Sequence, residues 1–270
     1  MPPTMPAKKP EWNKRIERAF DLAVRHPGAA EVLNFYRRIL EFQKQVYERA
    51  AVRPAPTPEG PFRDRLDLGI AAEELPELLS LVRTNGPSKL AQEAAELSKV
   101  SPEECRQVLD AFLRTGDADD AGRYAFFARV LLQPLAEHLA AIPAASLAGF
   151  AGMACPVCGG KPQVAVLRPE GDGGKRFLVC SLCATEWEFR RVLCPVCGEE
   201  DHTKLPRYTA EGISAVRVEA CETCHSYLKS VDLTVEGHAV PVVDEVATAS
   251  LDLWAVENGF QKIRRNLMGF

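Results

Sequence analysis

A chain of 270 residues has room for two domains of ordinary size, and an apolar share of 46% is enough to build a core. Its net charge of -4, with acids and bases interspersed, argues against a polybasic surface for nucleic acid or anionic lipid.

The opening segment, Met1 to Trp12, carries Pro and Lys but no apolar h-region, so it does not read as a secretory signal. Ile16, Phe20 and Val24, with Ala19 and Ala23 beside them, recur at helical spacing and predict a first helix with that face buried. Val32, Phe35, Tyr36, Ile39, Leu40 and Val46 continue the period in a second helix. Pro54, Pro56, Pro58 and Pro61 then make Arg53 to Phe62 a loop. Pro76 predicts the first turn of another helix, running to about Thr84 and stopped by Gly86 and Pro87. Ser101-Pro102-Glu103-Glu104 is a capping box, which opens a helix through about Arg114 that ends near Gly116. Tyr124 to Ala141 is a further apolar-periodic helix with a bend expected at Pro134.

The longest uncharged stretch, Leu139 to Gly160, is rich in Ala, Gly and Pro and broken by Pro143 and Ser146. A spanning helix needs about 20 strongly apolar residues, so this stretch reads as a linker and the chain as soluble and cytoplasmic. From about Ala154 the pattern changes. Gln163 to Arg168, Arg176 to Val179, Trp187 to Val192, Ser214 to Glu219 and Tyr227 to Leu233 are short, extended in character and separated by loops with Gly or Pro. A last helix fits Val242 to Phe260, with Val246, Ala249, Leu253 and Val256 on one face.

Of nine cysteines, only Cys105 lies outside the stretch from 155 to 224, and a place on a predicted helix suits it as a small core hydrophobe. The other eight form four C-x-x-C pairs: Cys155 with Cys158, Cys180 with Cys183, Cys194 with Cys197, and Cys221 with Cys224. Cytoplasmic thiols stay reduced, so this pattern points to metal rather than disulfides. A C-x-x-C turn sets two sulfurs on one side of a tight loop, and two such loops supply four thiolates in a tetrahedron. The economical pairing joins 155/158 to 180/183 and 194/197 to 221/224, a zinc-ribbon or rubredoxin-like plan used twice. Gly159 and Gly198 follow the first pair of each site, where a knuckle turn calls for positive φ. A tetrahedral set of four sulfurs suits zinc and iron equally. With every ligand from the protein, neither site leaves a position for substrate, which weighs against hydrolytic metal catalysis, while a single iron could still pass an electron.

Several sharper motifs have simpler readings. Cys221 to His225 matches the haem-attachment pattern C-x-x-C-H, but this pair is the needed partner of Cys194 and Cys197, and His225 then falls to a loop role. His202 and His238 read as surface residues. Trp187 and Tyr227 read as packing over the clusters. Arg190 and Arg191 are adjacent on an expected strand, so one could balance a metal–thiolate charge while the other is solvated. Ala151 to Val240 holds ten Lys and Arg against twelve Asp and Glu, with no basic stripe for nucleic acid.

The run Cys155-Pro-Val-Cys158-Gly, Cys180-Ser-Leu-Cys183-Ala-Thr-Glu186-Trp187, Arg191-Val-Leu-Cys194-Pro-Val-Cys197 and Cys221-Glu-Thr-Cys224 with Tyr227-Leu228-Lys229 resembles the formate dehydrogenase accessory protein family, FdhE. The segment from Asp244-Glu245 through Leu251-Asp252 to Gly259-Phe260 is similar to that family's tail. His225 departs from the family, which more usually has glycine there; this bears on the geometry of one turn and leaves the ligands in place.

The resemblance implies a cytoplasmic protein needed to make active formate dehydrogenase, acting on its catalytic subunit. It also implies metal-ligand roles for Cys155, Cys158, Cys180, Cys183, Cys194, Cys197, Cys221 and Cys224, holding two ions of iron or zinc. The expected fold is α+β: an α-helical domain over 1–150, rubredoxin-like modules over 151–190 and 191–240, and a C-terminal helix and tail over 241–270. The expected function is maturation without catalysis, through binding the catalytic subunit, with no nucleic-acid partner and no membrane insertion. The alternatives are a rubredoxin-like iron protein passing electrons to a client enzyme, or a nucleic-acid-binding zinc ribbon.

Overall fold

The computed structural model describes residues 10–53, 60–115, 124–141, 147, 150–171 and 173–270. Most of the opening segment, Pro54, Pro56 and Pro58, the helix stop at Gly116 and the linker residues Pro143 and Ser146 lie outside the described residues. The chain divides into two compact units. One is Met1–Trp12 with Phe35–Ala144; the other is Asn13–Asn34 with Ala145–Phe270.

The first helix, α1 (Trp12–Arg25), buries only one side of the face its sequence suggested. Ala19, Leu22 and Ala23 are buried, whereas Phe20 is 53% and Val24 68% exposed. Arg18 lies on the packed side and fixes the rotation. It is buried, and its Nε and NH2 donate to Asp244 at 3.0 and 2.5 Å.

Helix α2 (Ala30–Ala51) buries Phe35, Tyr36, Ile39, Leu40 and Val46, the stripe read from the sequence, with Val32 half-buried. Helix α3 (Leu68–Asn85) begins eight residues before Pro76, which had been expected in its first turn. The Asp67 side chain caps it, accepting from the N–H groups of Gly69 and Ile70 at 2.9 and 3.2 Å. Ile70, Ala71, Leu78, Leu79 and Val82 carry the apolar stripe straight past Pro76, whose ring faces solvent. Tertiary burial therefore outweighs the lost backbone bond. Pro87, a stop signal for α3, also stands at the N-cap of a further helix, α4 (Ser88–Leu97), that the sequence pattern does not announce. Helix α5 (Pro102–Thr115) starts as predicted: Ser101 N–H donates to Glu104 Oε2 at 2.9 Å, and Glu104 N–H to Ser101 Oγ at 3.3 Å. Cys105 is buried in it, and burial raises its thiol pKa. Helix α6 (Ala125–Ala141), with Pro134 inside, stacks Phe126 on Phe35 at 6.2 Å.

The second unit is built on one seven-stranded sheet. Its strands are β1 (Pro162–Glu170), β2 (Gly173–Cys180), β3 (Glu186–Glu188), β4 (Arg207–Ala210), β5 (Ile213–Ala220), β6 (Ser226–Asp232) and β7 (Gln261–Lys262). The order is β3-β2-β1-β6-β5-β4, with β7 alongside β6. Each cysteine module contributes three antiparallel strands, and the parallel pairing of β1 with β6, Val164 opposite Lys229 to Leu167 opposite Asp232, fuses them. β1 and β6 are therefore central, which explains their unbroken burial from Pro162 to Leu167 and from Tyr227 to Val231. Strand β3 is shorter than the expected run, so Arg190 and Arg191 follow it in a loop.

The expected single helix over Val242 to Phe260 is two: α7 (Pro241–Ala247) and α8 (Ala249–Glu257). They cover the face made by Val164, Val166, Val179, Val218, Tyr227 and Val231. The break at Thr248 has a visible cause. Lys229 Nζ rises from β6 and takes the carbonyls of Glu245 and Thr248, which a continuous helix would have given to its own N–H groups. The rotation at the break leaves Leu253 57% and Val256 62% exposed, while Val246, Leu251 and Ala255 are buried.

Candidate metal centres

The first pair, Cys155 and Cys158, precedes β1; Cys180 and Cys183 close β2. Cys194 and Cys197 precede β4, and Cys221 and Cys224 bridge the end of β5 and the start of β6. Since β1, β4 and β6 run one way and β2 and β5 the other, both sets of four gather at the same end of the sheet.

The eight sulfurs fall into two groups, Cys155, Cys158, Cys180 and Cys183, and Cys194, Cys197, Cys221 and Cys224, each with all Sγ atoms within 4.8 Å of one another. Sγ separations are 3.6 Å for Cys155–Cys183, 3.3 Å for Cys158–Cys180, 3.7 Å for Cys194–Cys224 and 3.6 Å for Cys197–Cys221. A disulfide would bring two sulfurs to about 2.05 Å. A tetrahedron with metal–sulfur bonds of about 2.3 Å has edges of about 3.8 Å, so the spacing fits a four-thiolate ion. The two groups could hold two metal ions.

The backbone around the sulfurs explains the geometry. Every pair is followed by a residue at positive φ: Gly159 at 74°, Ala184 at 51°, Gly198 at 77° and His225 at 55°. That turn lets Gly159 N–H and Gly198 N–H reach back to the carbonyls of Cys155 and Cys194 at 2.9 and 3.1 Å. Further N–H groups aim at sulfur: Gly160 at Cys158, Leu182 at Cys180 and Val196 at Cys194, each at 3.4 Å. Gly160 is needed for space as well, since a Cβ there would lie 3.1 Å from Cys180 Sγ and 3.2 Å from Cys158 Sγ. Sequence reasoning noted Gly159 but passed over Gly160.

The two groups differ in exposure. Cys155, Cys180 and Cys183 are buried and Cys158 half-buried; in the second set Cys194 and Cys221 are buried, Cys224 is half-buried and Cys197 is exposed. Hydrogen bonds from the Cys158, Cys180 and Cys183 thiols hold Cys155 far below the usual thiol range. Burial is the first cause that pushes Cys180 up, and the bond to Cys155 does most to raise Cys183. In the second group burial pushes Cys194 up to about 12. Burial also opposes ionisation of Cys224, but hydrogen bonds from Ser226, Cys197 and Cys221 bring it down to about 7. A bound ion would deprotonate all four sulfurs of a set.

His225 contributes its φ rather than its ring to the knuckle, and His202 and His238 are exposed. Trp187 is buried opposite Leu178, with its Nε1 donating to Gly152 O at 3.1 Å. The Tyr227 hydroxyl donates to Asp252 Oδ1 at 2.9 Å, on the face covered by α8. Two charged clusters escaped the sequence reading. One is the buried set Lys229, Glu245, Asp252 and Lys262 between β6 and the C-terminal helices. The other gathers Arg176, Arg207 and Arg217 about Glu219, next to Cys221. A Lys or Arg at an inward position of an apolar strand was the available signal.

A helical region followed by a sheet with two four-cysteine metal-binding clusters and a helical C-terminus defines the class. The chain belongs to the FdhE family. Its residues 154–191 match the FdhE central domain and residues 192–268 the FdhE C-terminal domain. It is 30% identical over 276 residues to the protein FdhE homolog of Aquifex aeolicus, covering 97% of each chain. With the homolog from Haemophilus influenzae strain PittEE it shares 27% identity over 93% of this chain and 85% of that one. The crystal structure of the FdhE protein from Pseudomonas aeruginosa has the same fold, with a TM-score of 0.72 at 23% identity, covering 99% of this chain and 98% of the other. Among the described residues no helix is long and apolar enough to cross a membrane.

Proposed function

We propose that this protein is a cytoplasmic accessory factor for the assembly of active formate dehydrogenase, that it binds the catalytic subunit, and that it is not an enzyme. The observation that carries the reading is the closed character of both centres in a chain of the FdhE family. Each set offers four cysteine donors at tetrahedral spacing, enough to fill the coordination of a tetrahedral ion from the protein alone. Cys155, Cys158, Cys180 and Cys183 hold one ion of iron or zinc, and Cys194, Cys197, Cys221 and Cys224 the other. Such ions supply folding energy to a sheet whose ends they tie. The knuckle N–H groups orient the sulfurs and offset their charge.

The exposure of Cys197 favours a second reading, in which iron in the outer site passes electrons to the client. A reversible change in visible absorbance on reduction of the iron-loaded protein would support it.

The test of the main reading is an anaerobic affinity capture with the metal-loaded protein as bait in its own cytoplasm, against a metal-stripped control. Enrichment of a formate dehydrogenase catalytic subunit is expected. Capture of ribosomal or polymerase components in its place would overturn the reading.

A further inference from the structure

Beside the second cluster lies a shallow depression, open to solvent, with a volume of about 30 Å³. Arg176, Arg191, Arg207 and Glu219 line it, together with the metal-site residues Cys194 and Cys221. Leu193 and Leu205 supply an apolar flank. Three guanidinium groups thus face one carboxylate, and that carboxylate is already engaged. Glu219 Oε2 accepts from Arg176 NH2 at 2.8 Å, and its Oε1 from Arg217 at 3.3 Å.

Arg176 is 4% exposed and held rigidly. Its NH1 donates to Arg190 O at 3.0 Å, and its guanidinium lies over the Phe189 ring at 5.3 Å. Among the described residues its buried Nε nevertheless has no acceptor. An unmet buried donor on a charged group is costly, and such a group is a place where a ligand belongs. Arg191 and Arg207 bond only to backbone carbonyls among the described residues, at Gly174 O (3.3 Å) and Arg191 O (3.2 Å). Arg207 also stands opposite Glu219 in the β4–β5 register, and burial together with Arg217, Arg191 and Arg176 lowers its pKa.

We infer that this depression is a binding site for an aliphatic carboxylate, whose head meets Arg176, Arg191 and Arg207 and whose stem lies on Leu193 and Leu205. The planar fork of guanidinium matches a carboxylate. The head of such an acid would sit against the guanidinium groups, while the open mouth lets the rest of it extend outward. The acid is either a small free molecule or the carboxylate end of a polypeptide. This site stands on the arginine geometry alone and does not depend on the maturation reading.

The test uses uniformly ¹⁵N-labelled, zinc-loaded protein at constant ionic strength, following the Nε–Hε signal of Arg176. Sodium acetate is titrated against acetamide, and acetyl-trialanine with a free carboxylate against its amide. A saturable shift with acetate assigns the site to a small free acid. Saturation with the peptide acid alone assigns it to a chain end. In either case the neutral partner has no effect, and an Arg191→Ala/Arg207→Ala protein binds about tenfold more weakly or less. No saturable shift with either acid, or binding unchanged in the double variant, would overturn the inference and leave the arginines as counter-charges to the metal–thiolate centre.

Discussion

Lys229 Nζ on β6, with no exposure to solvent, lies 2.5 Å from Asp252 Oδ2 on α8. The same ammonium bonds the carbonyls at the α7–α8 break, so one side chain both divides the C-terminal helix and ties its second half to the sheet. Lys262 from β7 reaches the other oxygen of Asp252 at 2.7 Å and also pairs with Glu245, which accepts from Asn266 Nδ2 at 2.9 Å. No charge in the set is without an opposite.

Lys229→Met should therefore destabilise the sheet unit by about 3–5 kcal/mol, the usual cost of leaving a buried partner unpaired. Urea unfolding of the zinc-loaded protein measures it. A change below about 0.5 kcal/mol, the scale of an ordinary surface substitution, would mean that the pair does not anchor α8.

The second metal should leave first. Its Cys197 is exposed, whereas the other set has three buried cysteines and one half-buried. A chelator with a coloured zinc complex should remove the metal in two phases, and Cys194→Ser should abolish the fast one while Cys155→Ser abolishes the slow one. A single phase, or the reverse assignment, would show that exposure does not govern release.

His225 sits at φ 55°, in the left-handed region. His225→Gly should keep both metals and the fold. His225→Val should cost about 1–3 kcal/mol, because a β-branched side chain is strained there. Equal stability of the two variants would remove φ as the reason for the residue's tolerance.

Glu219 gives a pH dependence. Burial raises its pKa, but Arg176, Arg217 and Arg207 outweigh burial and hold it below the ordinary 4.5. A depressed carboxylate adds stability that is fully present above 4.5 and lost as pH falls through the lowered value. Glu219→Gln should thus be less stable than the parent near neutrality, by about 3 kcal/mol, with the gap closing on acidification. Unfolding midpoints of both proteins across the acid range test this, and a gap independent of pH would contradict it.

Much of this was legible in the chain. Four C-x-x-C pairs can close into two tetrahedra with short strands between them in few ways, and Ser101 with Glu104 announced its helix start through side chains adjacent in sequence. What failed was set by distant partners. Phe20 and Val24 have the right period, yet α1 is rotated so that Arg18, bonded to Asp244 226 residues away, is buried with Ala19, Leu22 and Ala23 in their place. Nothing local around Thr248 says that a lysine from β6 will cut the helix. The fusion of two modules through β1 and β6 was equally hidden, since parallel pairing across some 65 residues leaves only the continuous burial of both strands as its mark.

The most direct measurement is metal content together with X-ray absorption at the metal edge, on protein purified without oxygen. The account predicts two ions per chain, each with four sulfur neighbours at about 2.3 Å and no nitrogen or oxygen. One ion per chain, or a mixed sulfur–oxygen environment with exchangeable water, would contradict two closed centres.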